Sequence, residues 1–363
     1  MKFTVITPKF DLSGVPLAQI RLANALANNN YAVDIIVGNI HKKFSISNHL
    51  DSRVKLINLN VKKTRWMIFR IFFYLLKNRI TVIFSAEDHL NALILFLLII
   101  TCNKSKISCS SRVTPFDTYS NKIFSKKWIL KKIIETVMWR ADLLTCVSKD
   151  MVKQYKKMFK NSKHICVYNI VVSSKIIDDS YNKIQLVKNK KIKILAVGRL
   201  EKWKGFDVLI KAITYVRKLY NIEVLILGDG PEKRYLKEII DNNDLHNIVK
   251  LIGYVENPYP YYRYSEIFVL SSYVEGMPNV LIEAMMLGCT PVSTNCDTGP
   301  SEIIDNEING YLSPVGDEKE LSNKIILAIK NRIDQKILNI KTQEFSEKTI
   351  LDKYFNLLKI ENE

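Results

Sequence analysis

The chain has 363 residues, 47% of them apolar and 25% charged, with 12 Gly and 10 Pro. That composition excludes low-complexity and collagen-like classes and, at about 100–200 residues per domain, predicts two domains. The formal net charge of +18 is lopsided: residues 1–190 carry 32 Lys and Arg against 11 Asp and Glu, so a strongly basic half adjoins a near-neutral one and different partners are expected for each.

Met1–Phe10 does not read as a signal peptide. Lys2–Thr7 reads as a strand, Asp11–Gly14 as a glycine-containing loop, Leu17–Ala27 as a helix opened by Pro16, and Tyr31–Val37 as the next strand. Strand, glycine loop, helix and strand make the βαβ unit of a parallel sheet. Thr81–Phe84 and Leu143–Val147 are further buried strands. Between them Leu90–Cys102 is apolar but too short to span a bilayer, and is read as buried core interrupted by Asn91. Residues 171–190 turn polar and rich in Lys, Asn and Asp, as a linker does. A second series follows: strand Ile192–Val197, helix Phe206–Leu219, strand Glu223–Leu227, helix Glu232–Asn242 and strand Val249–Ile252, with later strands Ile267–Leu270 and Thr290–Ser293.

The predicted class is therefore α/β, with parallel-sheet domains at 1–170 and 191–343, a linker at 171–190, and a last helix at 344–363 able to pack against either domain. Cys102, Cys109, Cys146, Cys166, Cys289 and Cys296 form no Cys-x-x-Cys and are too few for a disulfide scaffold, so a reducing, cytoplasmic setting is expected.

The most specific stretch runs from Glu275 to Glu283, with Gly276, Met277, Pro278, Asn279 and Val280 between them. Pro278 suits a helix start, which would leave free N–H groups at Asn279–Leu281 for an anion. Glu275 and Glu283 can each accept sugar hydroxyls; each can equally be a solvated residue. The second constellation, Gly198-Arg199 to Lys204-Gly205, follows a strand and opens a helix. There Arg199 offers a planar fork and Lys204 a point charge to a diphosphate, or the segment is a basic surface turn. It is not a P-loop, which needs a different spacing. Gly228-Asp229-Gly230-Pro231 reads as a turn set by backbone geometry. Gly253-Tyr254-Val255 follows another strand, where backbone can border a flat nucleobase.

Together with Gly299-Pro300-x-Glu302-Ile303 and Asn309-Gly310, these segments resemble, in order and spacing, the retaining glycosyltransferases of family 4 across most of residues 190–318. The first half resembles the family more loosely, at Gly14, Leu22–Leu26, Ala141-Asp142, Val147-Ser148 and Tyr168-Asn169. The resemblance implies a GT-B architecture: two facing Rossmann-like domains with a nucleotide-sugar in an interdomain cleft. By position it puts Arg199 and Lys204 on the diphosphate, Glu283 on the ribose, Glu275 on the transferred sugar, and Gly14 near the phosphates. It implies no divalent metal or other cofactor. Two departures stand out: Ser13-Gly14 replaces the family's Gly-Gly, and His89, the candidate for a catalytic His near the donor sugar, matches loosely and can equally be a capping or core residue. Arg112 can face the cleft or pair with Asp117.

Lys62–Arg79 places Lys63, Arg70 and Lys77 on one helix face with Trp66, Phe69, Phe72 and Phe73 on much of the rest, and Lys126–Arg140 repeats the theme with Trp128 and Trp139. Basic amphipathic helices lie in membrane interfaces, although cleft-lining or core helices with snorkelling cations carry the same pattern. The expectation is a peripheral enzyme on the cytoplasmic face of the inner membrane, moving a sugar, UDP-linked by family precedent, to a lipid-linked or oligosaccharide acceptor in cell-surface polysaccharide or O-antigen assembly. Two rivals are a nucleotide-sugar 2-epimerase of the same fold and a basic nucleic-acid-binding protein; against the latter, no binding motif is present and the cations sit among bulky apolar residues.

Overall fold

Several strands are largely apolar runs, as a sheet covered on both faces requires: Val82–Ala86 and Ile222–Leu227 are buried at every position. A computed structural model describes residues 1–360 apart from 12, 42–45, 62 and 185–188. Leu12 of the first loop, Lys62 of the basic stretch, 185–188 of the expected linker and 361–363 of the last segment lie outside the described residues. The chain divides into two units, residues 1–170 with 347–363, and residues 171–346.

In the first unit the strands are β1 (Lys2–Thr7), β2 (Ala32–Val37), β3 (Lys55–Asn58), β4 (Val82–Ala86), β5 (Lys106–Ser111), β6 (Leu143–Cys146) and β7 (Ile165–Cys166). They form one parallel sheet in the order β3-β2-β1-β4-β5-β6-β7. The helix Gly14–Asn28 buries Ala18, Leu22, Ala25 and Leu26, its 3.6-residue stripe. Asp88–Ile100 is the apolar run expected in the core; its Asn91 is buried and donates to the Ser110 carbonyl at 3.1 Å. The last helix, Glu347–Leu358, packs in this unit, with Phe355 against Phe3 and Tyr31 at ring-centroid distances of 6.0 and 5.5 Å. Lys106 Nζ closes its end by donating to the Leu358 carbonyl at 2.7 Å.

The second unit adds β8 (Ile192–Val197), β9 (Ile222–Leu227), β10 (Val249–Gly253), β11 (Ile267–Leu270), β12 (Thr290–Thr294) and β13 (Tyr311–Ser313). This sheet is also parallel, in the order β10-β9-β8-β11-β12-β13. Its core joins Ile194, Leu209, Ile213, Val224, Ile226, Leu321 and Ile325. Each such fully buried side chain stabilises the unit by about 1.5–3 kcal/mol.

Residues 171–181 differ from the linker their composition predicts. Ser174–Asp179 is helical, Ile176 is buried, and Asn257 Nδ2 donates to the Asp179 carbonyl at 2.9 Å. Arg263 also stacks on Tyr181 at 3.9 Å, so this stretch is part of the second unit. Four strands escaped the pattern reading: β3, β5, β7 and β13 are short or carry Lys, Ser and Asn in place of an apolar run.

Strand order sets where function can sit. After β1 the chain builds outward through β2 and β3, then returns to β4 on the other side of β1. After β8 it builds outward through β9 and β10, then returns to β11 on the other side of β8. Loops leaving the carboxyl ends of the strands at such a switch point diverge and leave a crevice that holds ligands.

Candidate active site

The loops leaving β8 and β11 flank the switch point of the second sheet, and both are constrained by glycine and hydroxyl residues. Gly198 leaves β8 with its N–H on the Leu227 carbonyl at 3.0 Å. After a single turn at Lys202–Lys204 the chain enters the helix Phe206–Val216 through Gly205, at φ 61°. A Cβ on Gly205 would lie 2.1 Å from the Ser271 carbonyl oxygen, so only glycine lets the two loops close up. Tyr273 N–H then donates to the Trp203 carbonyl at 2.8 Å, and Ser271 Oγ to the Lys204 carbonyl at 3.1 Å.

That lacing brings together two residues 71 positions apart. Lys204 Nζ and Glu275 Oε1 form an ion pair of 2.6 Å, with side chains only 20% and 10% exposed. Ser272 Oγ donates to the same Oε1 at 2.6 Å. The Ser272 carbonyl accepts from Thr294 Oγ1 at 2.5 Å, and the Glu275 carbonyl accepts from the Thr298 hydroxyl. Burial, and next the Glu275 charge, push the neighbouring Cys296 thiol up to about 12, so it is no thiolate nucleophile at neutral pH.

Glu283 lies in the helix Asn279–Met286 and is buried; Tyr262 donates its hydroxyl to Oε2 at 3.2 Å. Tyr262 is fully buried, and burial followed by the Glu283 charge holds its hydroxyl far above its ordinary value, so it stays a donor. Of the free N–H groups expected at Asn279–Leu281, those of Asn279 and Leu281 are already hydrogen-bonded. Asn279 N–H donates to the Met277 carbonyl and Leu281 N–H to the Pro278 carbonyl, both at 3.0 Å, because the chain enters the helix through tight turns. Met277 and Pro278 are buried, while Asn279 and Val280 are partly exposed.

Arg199 is not gathered with Lys204: its guanidinium pairs with Glu201 Oε1 at 2.6 Å, and its side chain is 68% exposed. Gly253 ends β10 at φ 89° with nothing within 4 Å of where a Cβ would stand, and its carbonyl accepts from Gly228 N–H at 2.7 Å. Tyr254 beside it is exposed, Val255 half-buried; burial, then Glu256, raise the Tyr254 hydroxyl to about 12.

In the first unit, Gly14 opens its helix with open space around it, and Asp11 just before it pairs with Lys9 at 2.8 Å. His89 is exposed in the first turn of Asp88–Ile100, which removes the core reading. Arg112 does not take the Asp117 partner weighed for it: its guanidinium donates to Asn169. Glu87 sits at φ 80° at the head of that helix, a strained position for a non-glycine residue. Burial raises its carboxyl, with Lys9, Asp11, Arg112 and Asp88 as its charged neighbours.

Sequence reasoning also missed Ser272 and Tyr262, which hold the two carboxylates, and Thr298, which holds the Glu275 backbone carbonyl. A signal existed for Ser272, a hydroxyl residue two positions after the end of a buried strand and three before Glu275. Tyr262 lies 21 residues from Glu283 and carries none.

Two parallel Rossmann-like sheets with polar loops at a carboxyl-edge switch point place the molecule in the α/β class with GT-B architecture. Within that class, residues 178–345 match the family described as glycosyl transferases group 1. It is 32% identical over 222 residues to an uncharacterized glycosyltransferase of Methanocaldococcus jannaschii, covering 57% of this chain and 52% of the relative. It is 32% identical over 221 residues to the N-acetylgalactosamine-N,N'-diacetylbacillosaminyl-diphospho-undecaprenol 4-alpha-N-acetylgalactosaminyltransferase of Campylobacter jejuni, covering 60% of this chain and 59% of the relative. The chain thus spans little more than half the length of these two relatives. Anabaena Alr3699/HepE, solved with UDP and glucose, shares the fold at a TM-score of 0.75 and 18% identity, over 99% of each chain.

Proposed function

We propose that the protein is a retaining glycosyltransferase that moves a sugar from a nucleotide-sugar, UDP-linked by precedent, to a lipid-linked saccharide in cell-surface polysaccharide assembly. The observation that carries this is the Lys204–Glu275 pair at the switch point within the stretch that matches glycosyl transferases group 1. It sets a cation for a diphosphate beside a carboxylate for sugar hydroxyls. HepE's complex with UDP supports the donor class, and the Campylobacter relative, whose printed name carries diphospho-undecaprenol, supports the acceptor class.

Breaking the anomeric bond puts negative charge on the leaving phosphate and positive charge on the sugar ring. Lys204 meets the first directly, and Arg199 joins once it leaves Glu201; a fixed cation at developing charge is worth about 10²–10³ in rate. These cations make a divalent metal unnecessary in this reading. With Cys296 protonated, no thiolate serves as nucleophile there, and same-face departure and attack is the reading adopted.

The acceptor's lipid suits the first unit. Its helices Met67–Lys77, Asp88–Ile100 and Lys126–Val137 pack side by side. They and the adjoining turns expose Trp66, Phe69, Phe73, Leu76, Phe96 and Trp139 among Arg65, Arg70, Lys77 and Lys132. Among the described residues no helix is long and apolar enough to cross a membrane, so the reading is docking onto an anionic leaflet.

The direct test is a screen of nucleotide-sugars for thermal stabilisation. One donor is expected to raise Tm in the wild type and to lose most of that effect with Lys204→Ala and with Glu283→Ala. Stabilisation that survives both substitutions would move the donor site elsewhere.

A further inference from the structure

Glu275 is held from three sides: by Lys204 and Ser272 on Oε1, both at 2.6 Å, and by Thr298 on its carbonyl. Ser272 is itself fully buried, and its carbonyl is fixed by Thr294. Lys204 is fixed at its backbone by Ser271, but its ammonium ends a flexible four-carbon stem. The carboxylate is thus the stationary member of the pair and the ammonium the movable one.

We infer that Glu275 competes with the diphosphate for Lys204 and so makes the site discriminate an intact nucleotide-sugar from the diphosphate left after transfer. The inference rests on the reading that this loop grips a diphosphate. A nucleotide-sugar offers phosphate oxygens to Lys204 and hydroxyls to Glu275 together, so the ion pair separates with both members satisfied. A bare diphosphate draws Lys204 away while leaving a largely shielded carboxylate beside new negative charge, which is unfavourable in a poorly solvated site. Once the sugar has left, Glu275 recaptures Lys204 and the product loses its main cation. Glu275 is, in this account, a determinant of product release as well as of sugar binding.

The experiment measures binding of inorganic pyrophosphate, a probe independent of base and sugar, by calorimetry at fixed ionic strength. The proteins compared are the wild type, Glu275→Gln, Lys204→Ala and the double variant. Glu275→Gln keeps the side chain's shape and its bond from Ser272. It is expected to bind pyrophosphate about tenfold more tightly than the wild type, equivalent to roughly 1.4 kcal/mol. Lys204→Ala is expected to bind more weakly, and Glu275→Gln to bring no gain in its background. Equal or weaker binding by Glu275→Gln, or the same gain without Lys204, overturns the competition. If Lys204→Ala binds as the wild type does, the diphosphate reading itself fails, and the two failures are told apart by that single variant.

Discussion

Side chains whose types were plain in the sequence acquire their chemistry from neighbours that were not. Lys204 and Glu275 stand out as a cation and a carboxylate in glycine-rich loops, but their 2.6 Å contact does not. The same holds for His164, which lies in no motif of the sequence. It is buried beside the Tyr155 ring at 4.5 Å, with Nδ1 2.6 Å from Ser162 Oγ, and burial lowers its pKa from 6.5 to about 4. Between those two values the unfolded chain takes up a proton that the folded chain refuses. The stability that neutral His164 contributes is therefore whole above pH 6.5 and is lost as the pH falls towards 4. The first unit is expected to be about 2 kcal/mol less stable at pH 5 than at pH 7 through this residue alone. His164→Gln should flatten that part of the profile in urea titrations at the two pH values, and an unchanged profile would refute the assignment.

Among elements, the long apolar runs and amphipathic helices were legible, because periods of two and 3.6 residues are properties of a short stretch of chain. Strand β5 was not: Lys-Ile-Ser-Cys-Ser-Ser carries three serines, yet all its residues after Lys106 are buried. Only its place between β4 and β6 makes it a strand. Turn glycines behave likewise, since their identity is visible but the reason for it is spatial. At Gly228, φ is 140° and a Cβ would stand 1.8 Å from the Gly198 carbonyl oxygen, whereas Gly14 has nothing within 4 Å. Gly228→Ala is expected to destabilise the second unit by about 3 kcal/mol, combining backbone strain and collision. Gly14→Ala should leave stability within about 1 kcal/mol of wild type. Urea midpoints of the two variants test the contrast, and equal shifts would contradict it.

For the whole molecule the unequal charge is the leading fact: residues 1–190 hold 32 of the 54 Lys and Arg. Composition alone leaves open whether those cations accompany core helices or a surface. The structure exposes bulky apolar residues alongside them, Trp139 at 71% and Phe69 at 61% among them. Each Lys or Arg near an anionic leaflet adds about 1 kcal/mol, and buried aromatic area adds to it. Sedimentation with vesicles should show binding to anionic but not to neutral lipid. Phe69→Ser with Phe73→Ser should lower the partition coefficient about tenfold, equivalent to roughly 1.4 kcal/mol. Equal sedimentation with both lipids would remove the idea.

The amino-acid sequence by itself determined the α/β class, most of the strands and helices, the basic first half and the loops carrying Gly198, Lys204, Glu275 and Glu283. Each of these is written in local periodicity, turn chemistry or composition, within reach of a few neighbouring residues. Only the tertiary structure decided that Lys204 meets Glu275 rather than Arg199, that Tyr262 holds Glu283, that the helix start at Asn279 is already hydrogen-bonded, and that residues 171–180 belong to a domain. Those outcomes depend on which strands become neighbours: a parallel sheet sets the carboxyl ends of β8 and β11 side by side although 69 residues separate Val197 from Ile267. No short-range pattern encodes that adjacency, because it is the shared burial of two distant runs that brings it about.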